Sequence, residues 1–177
     1  MLTNEHSGSK GSVILLIGPS SAGKTVIAKQ LQRSLDGLWL IAGVDMFWGM
    51  LDEQTLPEGR FRTDSDVMRR ITRGWHRAVA ALASEGNNVI VDELWLHRWW
   101  LSDWSEILDG HRWWSVRLTA SVAELSRREA GRADRPPRMA AEDAARAPDA
   151  DELFDLVINT EAVSIADCVS SIAELIS

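Results

Sequence analysis

Val-Ile-Leu-Leu-Ile-Gly-Pro-Ser-Ser-Ala-Gly-Lys-Thr, residues 13–25, decides how the rest of the chain is read. Val13 to Ile17 is an unbroken apolar run, the pattern of a strand covered on both faces in a parallel sheet. The small residues and paired glycines of 18–23 cannot continue that strand and predict a loop. From Lys24 onward, Ile27, Leu31 and Leu35 recur at helical spacing. A buried strand, a glycine-bounded loop and a helix start thus follow one another without a gap.

The loop carries specific chemistry. Gly18, Gly23, Lys24 and Thr25 occupy every fixed position of G-x-x-x-x-G-K-[ST], in the strand–loop–helix context that this phosphate-binding pattern requires. The glycines let the backbone curl until several N–H groups point at one phosphate, and the helix start adds its positive dipole end. Gly18, Ser20, Ser21, Ala22, Gly23, Lys24 and Thr25 are therefore candidate nucleotide-binding residues. Lys24 is the mobile charge for the β- and γ-phosphates, and the Thr25 hydroxyl is a ligand for Mg²⁺. ATP and Mg²⁺ are the implied cofactors.

Outward from this stretch, apolar runs alternate with helical periods. Strands are predicted over residues 38–44 (ending at Asp45), 89–91 (closed by Asp92-Glu93), 113–119 and 156–158. Helices are predicted over 24–35, 66–85, a Trp-rich segment reaching 108, a helix capped by Ser121 and running through about 130, 139–147 and a last one capped by Ser164. The helix from 66 is read with an apolar stripe of Val67, Ile71, Trp75, Ala78 and Leu82. Residues 52–63, which include Pro57, read as a loop or insertion. Strands alternating with helices imply an α/β fold, a five-stranded parallel sheet with helices on both faces. Residues 1–11 read as a frayed leader and 12–177 as one domain.

Composition narrows the partners. The formal net charge is −7, and an acidic surface repels nucleic acid and anionic membranes, so neither is expected as a partner. Cys168 is the only cysteine, which excludes an internal disulfide, and it falls in an apolar helical pattern. With no signal peptide read at the start, this points to the cytoplasm. The apolar run of residues 13–17 is far too short to span a bilayer. A homo-oligomer stays open.

Strand ends of a parallel sheet gather on one edge, so Asp45 and Asp92-Glu93 are expected near the phosphate loop. Asp92 is read as a partner of Mg²⁺, directly or through water. Glu93 is left open between substrate and a structural partner. Arg127, Arg128, Arg132, Arg135 and Arg138 crowd one short basic, proline-containing stretch, which reads as an Arg-rich lid. Guanidinium groups there can grip phosphate oxygens and offset transition-state charge. Arg132 and Arg135 are chosen for that role, with Arg127 or Arg128 balancing Glu124 and Glu129. Six of the nine Trp fall between residues 95 and 114, and there is no Tyr. Most are assigned to the core. Trp48 and Trp95 (or Trp99, one helical turn on) are assigned to the acceptor pocket.

The segments Gly-Pro-Ser-Ser-Ala-Gly-Lys-Thr (18–25), Gly43-Val-Asp45, Val89-Ile-Val-Asp-Glu93, Arg132-Ala-Asp-Arg135 and Asp155-Leu-Val-Ile-Asn-Thr160 resemble, in order and spacing, the chloramphenicol phosphotransferase family. The resemblance implies a three-layer P-loop NTPase fold of the nucleoside-kinase type. It implies ATP- and Mg²⁺-dependent phosphorylation of a hydroxyl on a small molecule, an antibiotic or related natural product. The aspartate proposed as base in that family carries onto Asp45, and the lid arginines onto Arg132 and Arg135. The readings weighed beside this one are a nucleotide or metabolite kinase and an ATP-binding module without transfer.

Overall fold

The computed structural model describes residues 9–51, 66–131 and 138–177. Five strands form one sheet: β1 (Val13–Ile17), β2 (Trp39–Gly43), β3 (Asn88–Glu93), β4 (Trp113–Thr119) and β5 (Leu156–Asn159). Their order is β2-β3-β1-β4-β5 and every neighbouring pair is parallel. The apolar run of β1 therefore lies at the sheet's centre, and all five of its residues are buried.

Helices cover both faces, as the alternation predicted. Alternate β1 residues Val13, Leu15 and Ile17 face a core built with α3 (Asp66–Ser84) and α4 (Arg98–Ile107). Ile14 and Leu16 face the other core, with α1 (Lys24–Ser34), α5 (Val122–Ala130), α6 (Met139–Arg146) and α7 (Ile165–Ile176). Ser164 caps α7 with a full capping box to Asp167, and Ser121 caps α5. Cys168 is a buried residue of the second core.

Three expectations need correction. The second strand stops at Gly43, and Asp45 opens a short helix, α2 (Asp45–Trp48). Val44 makes the last bond to β3, its N–H donating to Asp92 O at 3.3 Å, and then turns helical, its own carbonyl accepting from Phe47 N. The buried face of α3 is rotated by about one residue from the predicted stripe: Met68, Thr72, Trp75, His76, Val79 and Ala83 face inward. Val67 and Leu82 stay exposed, at 46% and 39%. Counting apolar residues misplaced this face because Thr72 and His76 are polar yet buried. Lastly, Gly11 belongs to the packed chain. Its N–H donates to Ala83 O at 2.8 Å, and a Cβ there would sit 2.0 Å from Asn87 O.

Candidate active site

The register brings the site together. Gly43 of β2 and Leu16 of β1 both pair with Asp92, so β2, β3 and β1 end side by side. The phosphate loop leaves β1 at that edge. Gly18 passes so close to β4 that a Cβ would lie 2.3 Å from Leu118 O. Gly23 adopts φ 94, a left-handed conformation that glycine tolerates without strain, and α1 begins at the next residue. No side chain caps α1 and no carboxylate lies in its first turn. Its positive end therefore stays available to an anion.

A cleft of about 250 Å³ opens over this edge, and its walls include Ser20, Ser21, Lys24, Thr25, Asp45, Asp92 and Arg128. Lys24 is folded onto the loop, its Nζ donating to Gly18 O (2.9 Å) and Pro19 O (2.8 Å), with Asp92 Oδ1 at 3.9 Å. Thr25 Oγ1 donates to Asp92 Oδ2 at 2.5 Å. The Ser21 hydroxyl is buried without a hydrogen-bond partner on a residue at φ 64. An unpaired buried hydroxyl at the wall of an amide-lined cleft suits a phosphate oxygen.

The donor set also suits Mg²⁺. Thr25 and Asp92 present adjacent hard oxygens. Among the described residues no group of three His, Cys, Asp or Glu could enclose a metal. Mg²⁺ is commonly held in this sparse way, by one or two protein oxygens with water and phosphate completing the shell.

Two supports escaped sequence reasoning. Asp143 of α6 is buried and accepts from Ser20 N (3.2 Å) and Ser20 Oγ (2.5 Å), tying the phosphate loop to the helix after the basic stretch. Nothing in the local pattern around Asp143 marks it. Arg128 lines the cleft and donates to Ser21 O (3.4 Å), Thr160 Oγ1 (3.0 Å) and Thr160 O (2.8 Å). Its place within the arginine run was the available signal. Where Arg127 or Arg128 was expected to balance Glu124, both pair with it, and their hydrogen bonds, Arg127's foremost, hold its carboxyl down at about 2. Glu129 does something else: its buried carboxylate accepts from Arg138 N and Ala140 N, capping the start of α6.

The remaining predicted residues divide. Arg132 and Arg135 lie outside the described residues, as does the side chain of Trp48. Glu93 and Trp95 do not reach the cleft. The Glu93 carboxylate, 1% exposed, accepts from Trp104 Nε1 at 2.7 Å and lies 3.1 Å from His76 Nε2. Trp95 precedes α4, so it shares no helix face with Trp99. It is buried against Phe154 and donates to Pro148 O. Side chains alternate along a strand, so Asp92 facing the cleft sends Glu93 to the opposite side.

Over residues 11–177 the chain matches the family described as chloramphenicol phosphotransferase-like protein. The chain belongs to the chloramphenicol phosphotransferase-like family. It is thus a phosphotransferase built on the P-loop kinase fold. Among curated relatives of this family member, the Mycobacterium tuberculosis proteins of strains H37Rv and CDC 1551, each named "Putative O-phosphotransferase", are 31% identical, covering 93% of this chain and 82% of theirs. Solved structures share the fold. The M. tuberculosis APS kinase in complex with AMPPNP and APS superposes with a TM-score of 0.71 at 17% identity, over 94% of this chain and 97% of that one. A gluconokinase from Sinorhizobium meliloti gives 0.67 at 18%, over 96% and 95%. Among the described residues, no helix of this phosphotransferase is long and apolar enough to cross a membrane.

Proposed function

We propose that the protein transfers the γ-phosphoryl group of ATP to a hydroxyl of a small molecule, an antibiotic or related natural product. The observation that carries this reading is the shared cleft: Asp45 and the phosphate loop line the same space. Family membership supports the reaction class, and the "O-phosphotransferase" naming of the relatives supports a hydroxyl acceptor.

The residues divide the work. Loop amides, the start of α1 and Lys24 hold the β- and γ-phosphates. Thr25 and Asp92 would hold Mg²⁺, which supplies positive charge at the phosphate oxygens. Asp45 accepts a hydrogen bond from the acceptor hydroxyl and aims its oxygen at the γ-phosphorus. A carboxylate is too weak a base to deprotonate an alcohol beforehand. In a loose phosphoryl transfer the new O–P bond forms late, as the bond to the ADP oxygen breaks and the proton passes to Asp45. Orientation therefore contributes more than base strength. Arg128 fastens the loop, and the reading keeps Arg132 and Arg135 as donors to the transferring group.

Purified protein incubated with labelled ATP and a panel of alcohols, antibiotics included, tests this. The expected outcome is label on a small-molecule hydroxyl. Transfer to nucleoside monophosphates alone would favour a nucleotide kinase, and absence of magnesium-nucleotide binding would overturn the reading. Asp45→Asn is expected to lower turnover at least about 100-fold while nucleotide affinity, by calorimetry, stays within about twofold. Unchanged turnover would remove Asp45 from the reaction.

A further inference from the structure

Behind β3, on the face away from the cleft, lies a buried row of charged groups that the proposed reaction does not use. His76 of α3 is fully buried. Its Nδ1 lies 2.6 Å from Asp103 Oδ2 on α4, and its Nε2 lies 3.1 Å from Glu93 Oε1 on β3. Asp103 also meets Arg73 Nε at 3.2 Å and Arg77 Nη1 at 4.0 Å, both on α3. Glu93 takes the Trp104 indole N–H on its other oxygen, and the Trp104 ring lies 4.1 Å from the imidazole, centroid to centroid.

A neutral imidazole donates from one nitrogen only. With a carboxylate oxygen against each nitrogen, only the imidazolium satisfies both contacts. The consequence reaches the cleft through the backbone. Glu93 follows Asp92, and its own carbonyl accepts from Gly18 N, the first amide of the phosphate loop, at 3.2 Å.

We propose that His76 is a positioning residue: a doubly donating imidazole that clamps Glu93 to Asp103 and so fixes the strand end from which the Gly18 contact and Asp92 project. The clamp stands apart from the proposed reaction; its effect on nucleotide binding rests on that reading. The charged groups facing His76 are Glu93 from β3 and Asp103 from α4, with Arg73 and Arg77 of its own helix meeting Asp103 from the outer side. Burial, the largest single influence, pulls the imidazole's proton affinity down. The charges and hydrogen bonds of Glu93 and Asp103 outweigh it and leave the value above the ordinary 6.5. Raising the pH through that raised value removes one donor and faces a lone pair with a carboxylate.

Nitrogen-15 NMR of the full chain tests the clamp without nucleotide. At pH 6, below the ordinary imidazole value of 6.5, both His76 ring nitrogens are expected to carry protons. On raising the pH, the Gly18 amide is expected to shift with the same midpoint as the imidazole. In Asp103→Asn, which leaves the cleft residues intact, both midpoints are expected to move down together. Magnesium-ATP affinity is expected to weaken about fivefold across the same range. One unprotonated ring nitrogen at pH 6, or a Gly18 amide that ignores the titration, would overturn the proposal; so would midpoints unmoved in the variant. Should Asp103→Asn not fold, the two wild-type signals decide alone. Failure to bind nucleotide at any pH would instead count against the proposed function, while the imidazole and Gly18 signals still decide the clamp.

Discussion

Lys24 donates to the carbonyls of its own loop, Gly18 and Pro19, so to reach terminal phosphates it exchanges these bonds for charge-assisted ones to phosphate oxygens. Replacing it with methionine keeps most of the apolar stem and removes the charge. Nucleotide affinity is expected to fall at least about tenfold, measured by calorimetry. Asp143 acts one step further back. Asp143→Ala leaves the buried Ser20 hydroxyl and amide without their acceptor, a cost of about 1–3 kcal/mol. The expected signature is a raised KM for ATP together with a lower Tm. An unchanged KM would confine Asp143 to stability. Asp143 and Ser20 are 123 residues apart in sequence, which is why no local pattern announces the pair.

At the scale of elements, helix ends were easier to read than helix faces. Ser164 and Ser121 were both predicted as caps, and both accept from the backbone N–H three residues on. Capping depends on one short polar side chain at one position, so it is written locally. Ser164→Ala is expected to cost about 1 kcal/mol of stability, seen as a lower urea midpoint, with phosphotransfer unchanged. An effect on transfer would mean that α7 also serves the cleft. The face of α3 was misplaced by one residue for the opposite reason. Its buried side includes His76, which is admissible inside only because Glu93 and Asp103 arrive from other elements to meet it. The tryptophans tell the same story: Trp100 and Trp104, one helical turn apart, share the inner side of α4, whereas Trp95 lies before that helix.

For the whole molecule, the buried His76 row predicts a pH dependence of stability with a definite sign. The imidazole gains proton affinity on folding, so its contribution is fully present below its ordinary value of 6.5 and is lost as pH rises through the raised folded value. Urea midpoints are expected to fall on the alkaline side of 6.5 in the wild-type protein, and that fall is expected to be absent in His76→Gln. The same slope in both proteins would assign the titration elsewhere. Much of the architecture was legible beforehand. The buried run of β1, the loop glycines, Lys24 and Thr25 are consecutive in the chain, and their meaning follows from backbone geometry and the period of apolar residues. The sequence alone therefore determined a parallel sheet clothed by helices and the place where a phosphate would sit. Tertiary structure decided which of two adjacent acidic residues faces the cleft, Asp92 and not Glu93, and that Asp143 and Arg128 brace the loop. Those outcomes depend on strand register and helix rotation, which set pairings between residues far apart in sequence, and a polar residue becomes stable in the interior only once such a partner is in place.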